Sequence, residues 1–76
     1  MKIEFSDHAI AQLGNRPRIK RDMVIEAIQL PDGATVSYRN RTLYRKNFKG
    51  ETLEVVTVSE DDTIIVITQY FLDENP

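Results

Sequence analysis

Histidine is the residue type that titrates closest to neutral pH, and this sequence contains one, His8. Acid–base chemistry at pH 7 without a metal would therefore depend on His8 first. Its position, one residue away from the apolar side of a predicted helix, favours a local role in which the ring caps or packs. A catalytic role for His8 needs support from other residues.

Arg16 is the first candidate for such support. It follows the predicted end of the helix that carries His8, where paired guanidinium donors could bind a phosphate or a carboxylate. A solvated surface arginine is the simpler interpretation. His8 and Arg16 would be two turns apart and could face one cleft if the helix continued that far, but Gly14 favours an earlier end.

The middle of the chain interleaves five cations with three aromatic rings, over residues 38–49. Single-stranded nucleic acid is held by this combination, because cations follow the phosphates while rings stack on the bases. The predicted RNA-binding residues are Arg18, Arg39, Arg41, Tyr44 and Lys46. The alternative is a solvated hairpin whose rings serve the core, since strand alternation places Tyr44, Lys46 and Phe48 on one face and Leu43 and Arg45 on the other.

Other chemistry finds little support. Thr68 and Tyr70 share one face of the last predicted strand, where their hydroxyls could donate to an oxyanion, although packing is the favoured interpretation. One histidine, no cysteine and the acidic run 60–62, which fits a hairpin turn, predict no metal. The sequence has neither a glycine-rich phosphate loop nor a serine-nucleophile motif, and we expect no cofactor.

Charge is distributed unevenly along the 76 residues, whose net charge is −2. Residues 16–49 carry nine basic and three acidic side chains, a net charge of +6, whereas residues 50–76 carry seven acidic side chains and no basic one. Such blocks are typical of a polyanion-binding face or of two halves that attract each other. The mild overall acidity favours a binding module over a strongly basic RNA-acting protein, and the basic block favours the opposite.

The elements that must position these residues follow from the apolar pattern. Ser6 is a good N-cap for a first helix that ends at Gly14-Asn15, and a second helix runs from Lys20 to Leu30 before Pro31. Alternating segments then predict four strands, over 34–38, 42–48, 52–58 and 63–72. Short links between them imply antiparallel neighbours. The prediction is one α+β domain over residues 1–76, with two N-terminal helices packed on a four-stranded antiparallel sheet.

Several of these residues also carry a family resemblance. The run Phe5-Ser6-Asp7-His8-Ala9, then Arg16, Ile19, Val24 and Pro31, and finally residues 65–70 (Ile-Val-Ile-Thr-Gln-Tyr), resembles the bacterial domain-of-unknown-function family 4258. That family is similar to the RelE/ParE and BrnT toxin superfamily, so the resemblance implies a RelE-like fold. The sequence departs from the family pattern at Gln12, where an arginine is common, and at Pro17-Arg18, where a glycine is usual.

The resemblance implies a function as well. Relatives in the toxin superfamily cleave messenger RNA without a metal, and other branches bind only a partner or target gyrase. Carried onto this chain, His8 is the candidate acid or base and Arg16 and Arg45 stabilise phosphate charge, while Tyr44 or Tyr70 stacks on a base or donates a proton. The expected partners are RNA and an antitoxin protein; the alternative is a non-catalytic protein-interaction module of the same fold.

The remaining expectations concern location and assembly. The N-terminal residues Met1–Phe5 lack the apolar run of a signal peptide or a membrane span, and the absence of cysteine fits a reducing compartment. We therefore expect a cytoplasmic protein that does not enter a membrane. Homo-oligomers, including dimers formed through an edge strand, are left open by the sequence.

Overall fold

The structure, a computed structural model, describes residues 2–37 and 39–72. It contains two helices and five strands. In chain order these are β1 (Lys2–Phe5), α1 (Asp7–Asn15), α2 (Arg21–Gln29), β2 (Gly33–Val36), β3 (Arg41–Phe48), β4 (Glu51–Glu60) and β5 (Thr63–Phe71). The α+β class and the two N-terminal helices are therefore confirmed.

The sheet differs from the prediction, because it has five strands and is mixed. Its strand order is β1-β5-β4-β3-β2. The pairs β2–β3, β3–β4 and β4–β5 are antiparallel as predicted, whereas β1 is parallel to β5, with Ile3 opposite Ile64 and Phe5 opposite Val66. The expected four-stranded antiparallel sheet is thus wrong in its strand number, because it lacks β1 and the parallel β1–β5 pair.

The missed strand, β1, is too short to stand out in the sequence. It alternates Lys2 and Glu4 with Ile3 and Phe5, but four residues give only two periods. Phe5 ends β1 and packs on the core from there. Pairing with β5, a tertiary interaction, stabilises this segment as a strand.

A two-residue turn fixes the register of β3 and β4. Lys49 and Gly50 both have positive φ, 55° and 90°, which is the pattern of a type I′ hairpin turn. Asn47 Oδ1 accepts a hydrogen bond from Gly50 N at 2.9 Å. The resulting register places Arg45 opposite Glu54 and Tyr44 opposite Val55.

The core lies between the helices and one face of the sheet, which we call the covered face. Both helices contribute to it, with Ala9 from α1 and Val24, Ala27 and Ile28 from α2. The sheet residues of the core are Leu53 and Val55 from β4 and Ile64, Val66 and Phe71 from β5. Strand β5 lies between β1 and β4, as the apolar character of residues 64–67 predicts.

Helix α1 is attached to the second half of β5. Strand β1 pairs with β5 only as far as Val66, and α1 begins directly afterwards. Ser6 Oγ accepts from Ala9 N at 3.1 Å, which confirms the predicted N-cap, and donates to Ile67 O at 3.2 Å. Further along, the buried Gln69 Nε2 donates to Ala9 O at 3.0 Å. These bonds hold α1 beside the second half of β5.

Candidate functional site

The face of the sheet opposite the core has no helix over it in the described residues, and we call it the open face. Its side chains alternate with those of the core. It includes Thr35 on β2, Arg41, Leu43 and Arg45 on β3, Glu54, Val56 and Val58 on β4, and Ile65, Thr68 and Tyr70 on β5, with the acidic residues Glu4 of β1 and Glu60 of β4 at its margins. Strand alternation predicted that Arg45 lies on the opposite face of the sheet from Tyr44 and Lys46, and the register confirms this prediction.

A row of three polar side chains crosses the centre of the open face. Arg45 and Tyr70 lie opposite Glu54 on its two sides. Arg45 Nε donates to Glu54 Oε1 at 2.7 Å, and the Tyr70 hydroxyl donates to Glu54 Oε2. Glu54 is only 4% exposed, although no helix covers it, because its two neighbours lie against it. Both carboxylate oxygens therefore have a donor, as a buried charge requires.

The environment of this row favours the protonated form of Tyr70. Burial, followed by the hydrogen bond to Glu54 and the charge of that carboxylate, raises the pKa of Tyr70 from 10.0 to about 12, against a smaller lowering by Arg45. A phenol with this pKa is neutral at physiological pH. Tyr70 is consequently a hydrogen-bond partner of Glu54 and a weak acid.

The Arg45 guanidinium is hydrogen-bonded through Nε and partly exposed to solvent. Its side chain is 50% exposed. Its Nε is bound to Glu54, and its Nη atoms make no hydrogen bond to the residues that the structure describes. A guanidinium fixed through Nε presents its remaining N–H donors in a fork that fits a phosphate or a carboxylate. The row can therefore bind an anion from the solvent side.

The polar side of α1 borders the open face at β5. Gln12 is the contact between them, since Thr68 Oγ1 lies 3.4 Å from Gln12 Oε1. His8 precedes Gln12 by four residues and so lies on the same side of the helix, one turn earlier. His8 is exposed and makes no hydrogen bond or ion pair to the described residues. Arg16 is the C-cap residue of α1, so the helix ends before it, as Gly14 suggested.

The four predicted catalytic residues thus fall into two groups. Arg45 and Tyr70 meet through Glu54, in the middle of the open face. His8 and Arg16 lie on α1 and at its end, and no contact joins either of them to that row within the described chain.

Two of the predicted RNA-binding residues have structural roles on the covered face. Tyr44 is half-buried against the core. Lys46 Nζ donates to Leu30 O at 2.8 Å and lies 3.9 Å from a Glu26 carboxylate oxygen, with 18% of its side chain exposed. The ammonium group therefore satisfies a carbonyl at the C-terminus of α2, where a positive charge is favourable. The aromatic rings of residues 44 and 48 point to the core, so they do not line the open face with the arginines.

Arg18 belongs to a third location, beside a cleft of about 290 Å³ at the Lys49-Gly50 end of the sheet. Its guanidinium lies 4.9 Å from the centre of the Phe71 ring and forms an ion pair with Glu51. Arg39 and Arg41 lie at the opposite end, on the β2–β3 hairpin, and both are exposed. Arg39 and Asn40 have positive φ, 64° and 60°. The nine predicted site residues therefore do not form one cluster.

Glu54 is the residue that sequence reasoning missed. It lies between Leu53 and Val55 in a strand whose apolar residues obscure the alternating pattern of apolar and polar side chains. The signal was the Lys49-Gly50 turn, because a two-residue hairpin with that turn sets Phe48 opposite Glu51 and hence Arg45 opposite Glu54. Opposite charges directly across an antiparallel pair attract each other.

No group of three or more histidine, cysteine, aspartate or glutamate side chains converges within residues 2–37 and 39–72 in a way that could hold a metal ion. None of the helices in those ranges is long and apolar enough to cross a membrane.

Comparisons with protein-family models, with curated proteins and with solved structures each found no match for this chain.

Proposed function

We propose that the protein is a toxin-like RNA-binding domain that binds phosphate groups on its open face. The observation that carries the proposal is the row Arg45–Glu54–Tyr70. A buried carboxylate holds the guanidinium through Nε, and the exposed Nη donors are left for a ligand. A pre-oriented guanidinium loses less side-chain entropy on binding than a free one.

The neighbouring arginines extend this surface along β3. Arg41 lies on the open face four residues before Arg45, and Arg39 lies at the tip of the same hairpin. Four residues of an extended strand span about 13 Å, roughly two phosphates of an extended strand of RNA. Because the rings of Tyr44 and Phe48 face the core, the contacts would be mainly with phosphates, and sequence preference would be weak.

Metal-independent cleavage is the finer part of the proposal. The 2′-oxygen would attack phosphorus while the bond to the 5′-oxygen breaks, giving a cyclic phosphate and a free 5′-hydroxyl. His8 would take the 2′-hydroxyl proton and solvent water would protonate the departing 5′-oxygen, while Arg45, on β3 beyond β4, would bind a neighbouring phosphate of the same RNA strand. Tyr70 would act through Glu54 by positioning Arg45. The RNA strand would run from the edge of the sheet beside α1, across β5 and β4, to Arg45 on β3.

Cleavage is tested with purified protein, total RNA and a chelator, in parallel with His8→Ala and Arg45→Lys. The matched control is Lys20→Gln, on the other side of the molecule. Cleavage by the native protein and by the control, but not by His8→Ala, supports the nuclease assignment. Binding without cleavage by any of the proteins removes the catalytic part and leaves RNA binding. The absence of both refutes the proposal.

A second candidate, a protein-interaction module, is favoured by the apolar side chains of the open face. Leu43, Val58 and Ile65 are only half-buried there, and no described helix covers them. An antitoxin or another acidic protein could pack on this strip while its carboxylates pair with Arg41 and Arg45. A partner that survives ribonuclease treatment, and that Val58→Asp releases while Lys20→Gln does not, would support this candidate over RNA.

A further inference from the structure

The two edges of the sheet are protected unequally. At one edge, β1 carries Lys2 and Glu4, and α1 lies beside the rest of β5. At the other edge, every residue of β2 is exposed, and the strand Gly-Ala-Thr-Val contains neither a charge nor a proline. Val36 is 78% exposed, the highest value among the large hydrophobic residues that the structure describes as exposed. Natural sheets usually block such an edge with charge, proline or a bulge.

The hydrogen bonds of the hairpin show which groups of β2 face outward. Ser37 N donates to Arg41 O at 2.7 Å, so these two residues form a hydrogen-bonded pair of the ladder. Hydrogen-bonded and non-hydrogen-bonded pairs alternate along antiparallel strands. Residues 33 and 35 therefore bond to β3, whereas Ala34 and Val36 direct their backbone N–H and C=O groups away from the sheet.

We infer that the β2 edge pairs with the β2 edge of a second copy of this chain, antiparallel and about a two-fold axis at Thr35. In this register, Ala34 exchanges two backbone hydrogen bonds with Val36 of the partner subunit, and the symmetric pair does the same. The small Ala34 side chain lies beside the larger one of the partner's Val36. The strand has no charge that would meet its own like charge across the axis.

This pairing would join two five-stranded sheets into one with ten strands and a continuous open face. The two β3 strands would be three strand spacings apart, about 14 Å. Arg41 and Arg45 of the two copies would then face each other across the two β2 strands. The inference does not depend on the proposed function, because it rests on the edge and its hydrogen bonds alone.

The register gives a sharp test, because the chain contains no cysteine. Thr35 would lie opposite Thr35 of the partner subunit in a non-hydrogen-bonded pair, with Cα atoms about 4.5 Å apart, which a disulfide can bridge. The matched control is Ala34→Cys, because two copies of residue 34 would be about 8 Å apart, beyond the reach of a disulfide. In a glutathione redox buffer, Thr35→Cys should form covalent dimers at least about tenfold faster than Ala34→Cys.

Sedimentation of the cysteine-free protein over a wide concentration range provides the second measurement. The proposal predicts a concentration-dependent dimer that Val36→Lys abolishes and that Ile10→Lys, the same change at an exposed position on α1, leaves intact. Preferential cross-linking of Thr35→Cys supports the pairing even where the dimer is too weak to sediment. Equal cross-linking rates for the two cysteine variants overturn it, whether the protein sediments as a monomer or as a dimer formed through another surface.

Discussion

Replacing Tyr70 by phenylalanine removes a single hydroxyl from the open face and leaves Glu54 Oε2 without its donor. A buried acceptor that loses its partner costs about 1–3 kcal/mol. We expect Tyr70→Phe to lower the free energy of unfolding by about 2 kcal/mol at neutral pH, and the melting temperature by about 8–16 °C.

The pH dependence of this difference has a defined sign. The folded state favours the protonated phenol, because the pKa of Tyr70 is raised above its unfolded value. The stabilisation is therefore fully present below pH 10 and is lost as the pH rises through about 12. The difference between the native protein and Tyr70→Phe should be constant from neutral pH to about pH 9 and should shrink above pH 10.

Urea denaturation of both proteins at a series of pH values measures this difference. Tyr44→Phe is the matched control, since the Tyr44 hydroxyl makes no hydrogen bond to the described residues and its loss should change stability by less than about 0.5 kcal/mol. Equal losses for Tyr70→Phe and Tyr44→Phe would refute the reasoning. So would a difference that grows above pH 10.

Four further substitutions test the elements that hold the site. Ser6→Ala should lower the free energy of unfolding, measured by urea denaturation, by about 1 kcal/mol, because the hydroxyl caps α1 and also bonds to a carbonyl of β5. An unchanged denaturation midpoint would contradict this role. Lys46→Met should lower the free energy of unfolding by about 1 kcal/mol, because the hydrogen bond to Leu30 O is lost. Equal stability of this variant and the native protein would show that water replaces the ammonium group. Gly50→Ala should lower the free energy of unfolding by about 1 kcal/mol, because φ at this residue is +90°. Gly14→Ala should raise it by about 0.5–1 kcal/mol, because Gly14 lies inside α1 with open space around it. Effects of the same sign at both positions would be inconsistent with the structure.

Local signals in the sequence were sufficient for the helices and for three of the four strand pairings. Ser6 and Pro31 mark helix boundaries through their own chemistry, and the Lys49-Gly50 turn sets the β3–β4 register. Strand β1 could not be predicted in this way, because it is stabilised by pairing with β5, some sixty residues further along the chain. Local periodicity carries no information about such a partner.

The candidate site was predicted only in part, for a related reason. Alternation separated Arg45 from Tyr44 and Lys46 correctly, but it could not show that Lys46 bonds to the end of α2. The row on the open face depends on Glu54, whose partners come from strands on both of its sides. Burial of a carboxylate on a face without a helix follows from the length of the neighbouring side chains, which is a property of the assembled sheet.

The affinity of the protein for single-stranded RNA as a function of salt concentration shows whether phosphates bind along β3. The double variant Arg39→Asn/Arg41→Gln is compared with Lys20→Gln/Lys49→Gln, which removes the same charge away from the open face. If phosphates bind along β3, the first variant should weaken binding and reduce the slope of log K against log salt by about 1.4, while the second leaves both nearly unchanged. Equal effects of the two variants, or no salt-dependent binding by the native protein, would contradict the assignment of the open face to RNA.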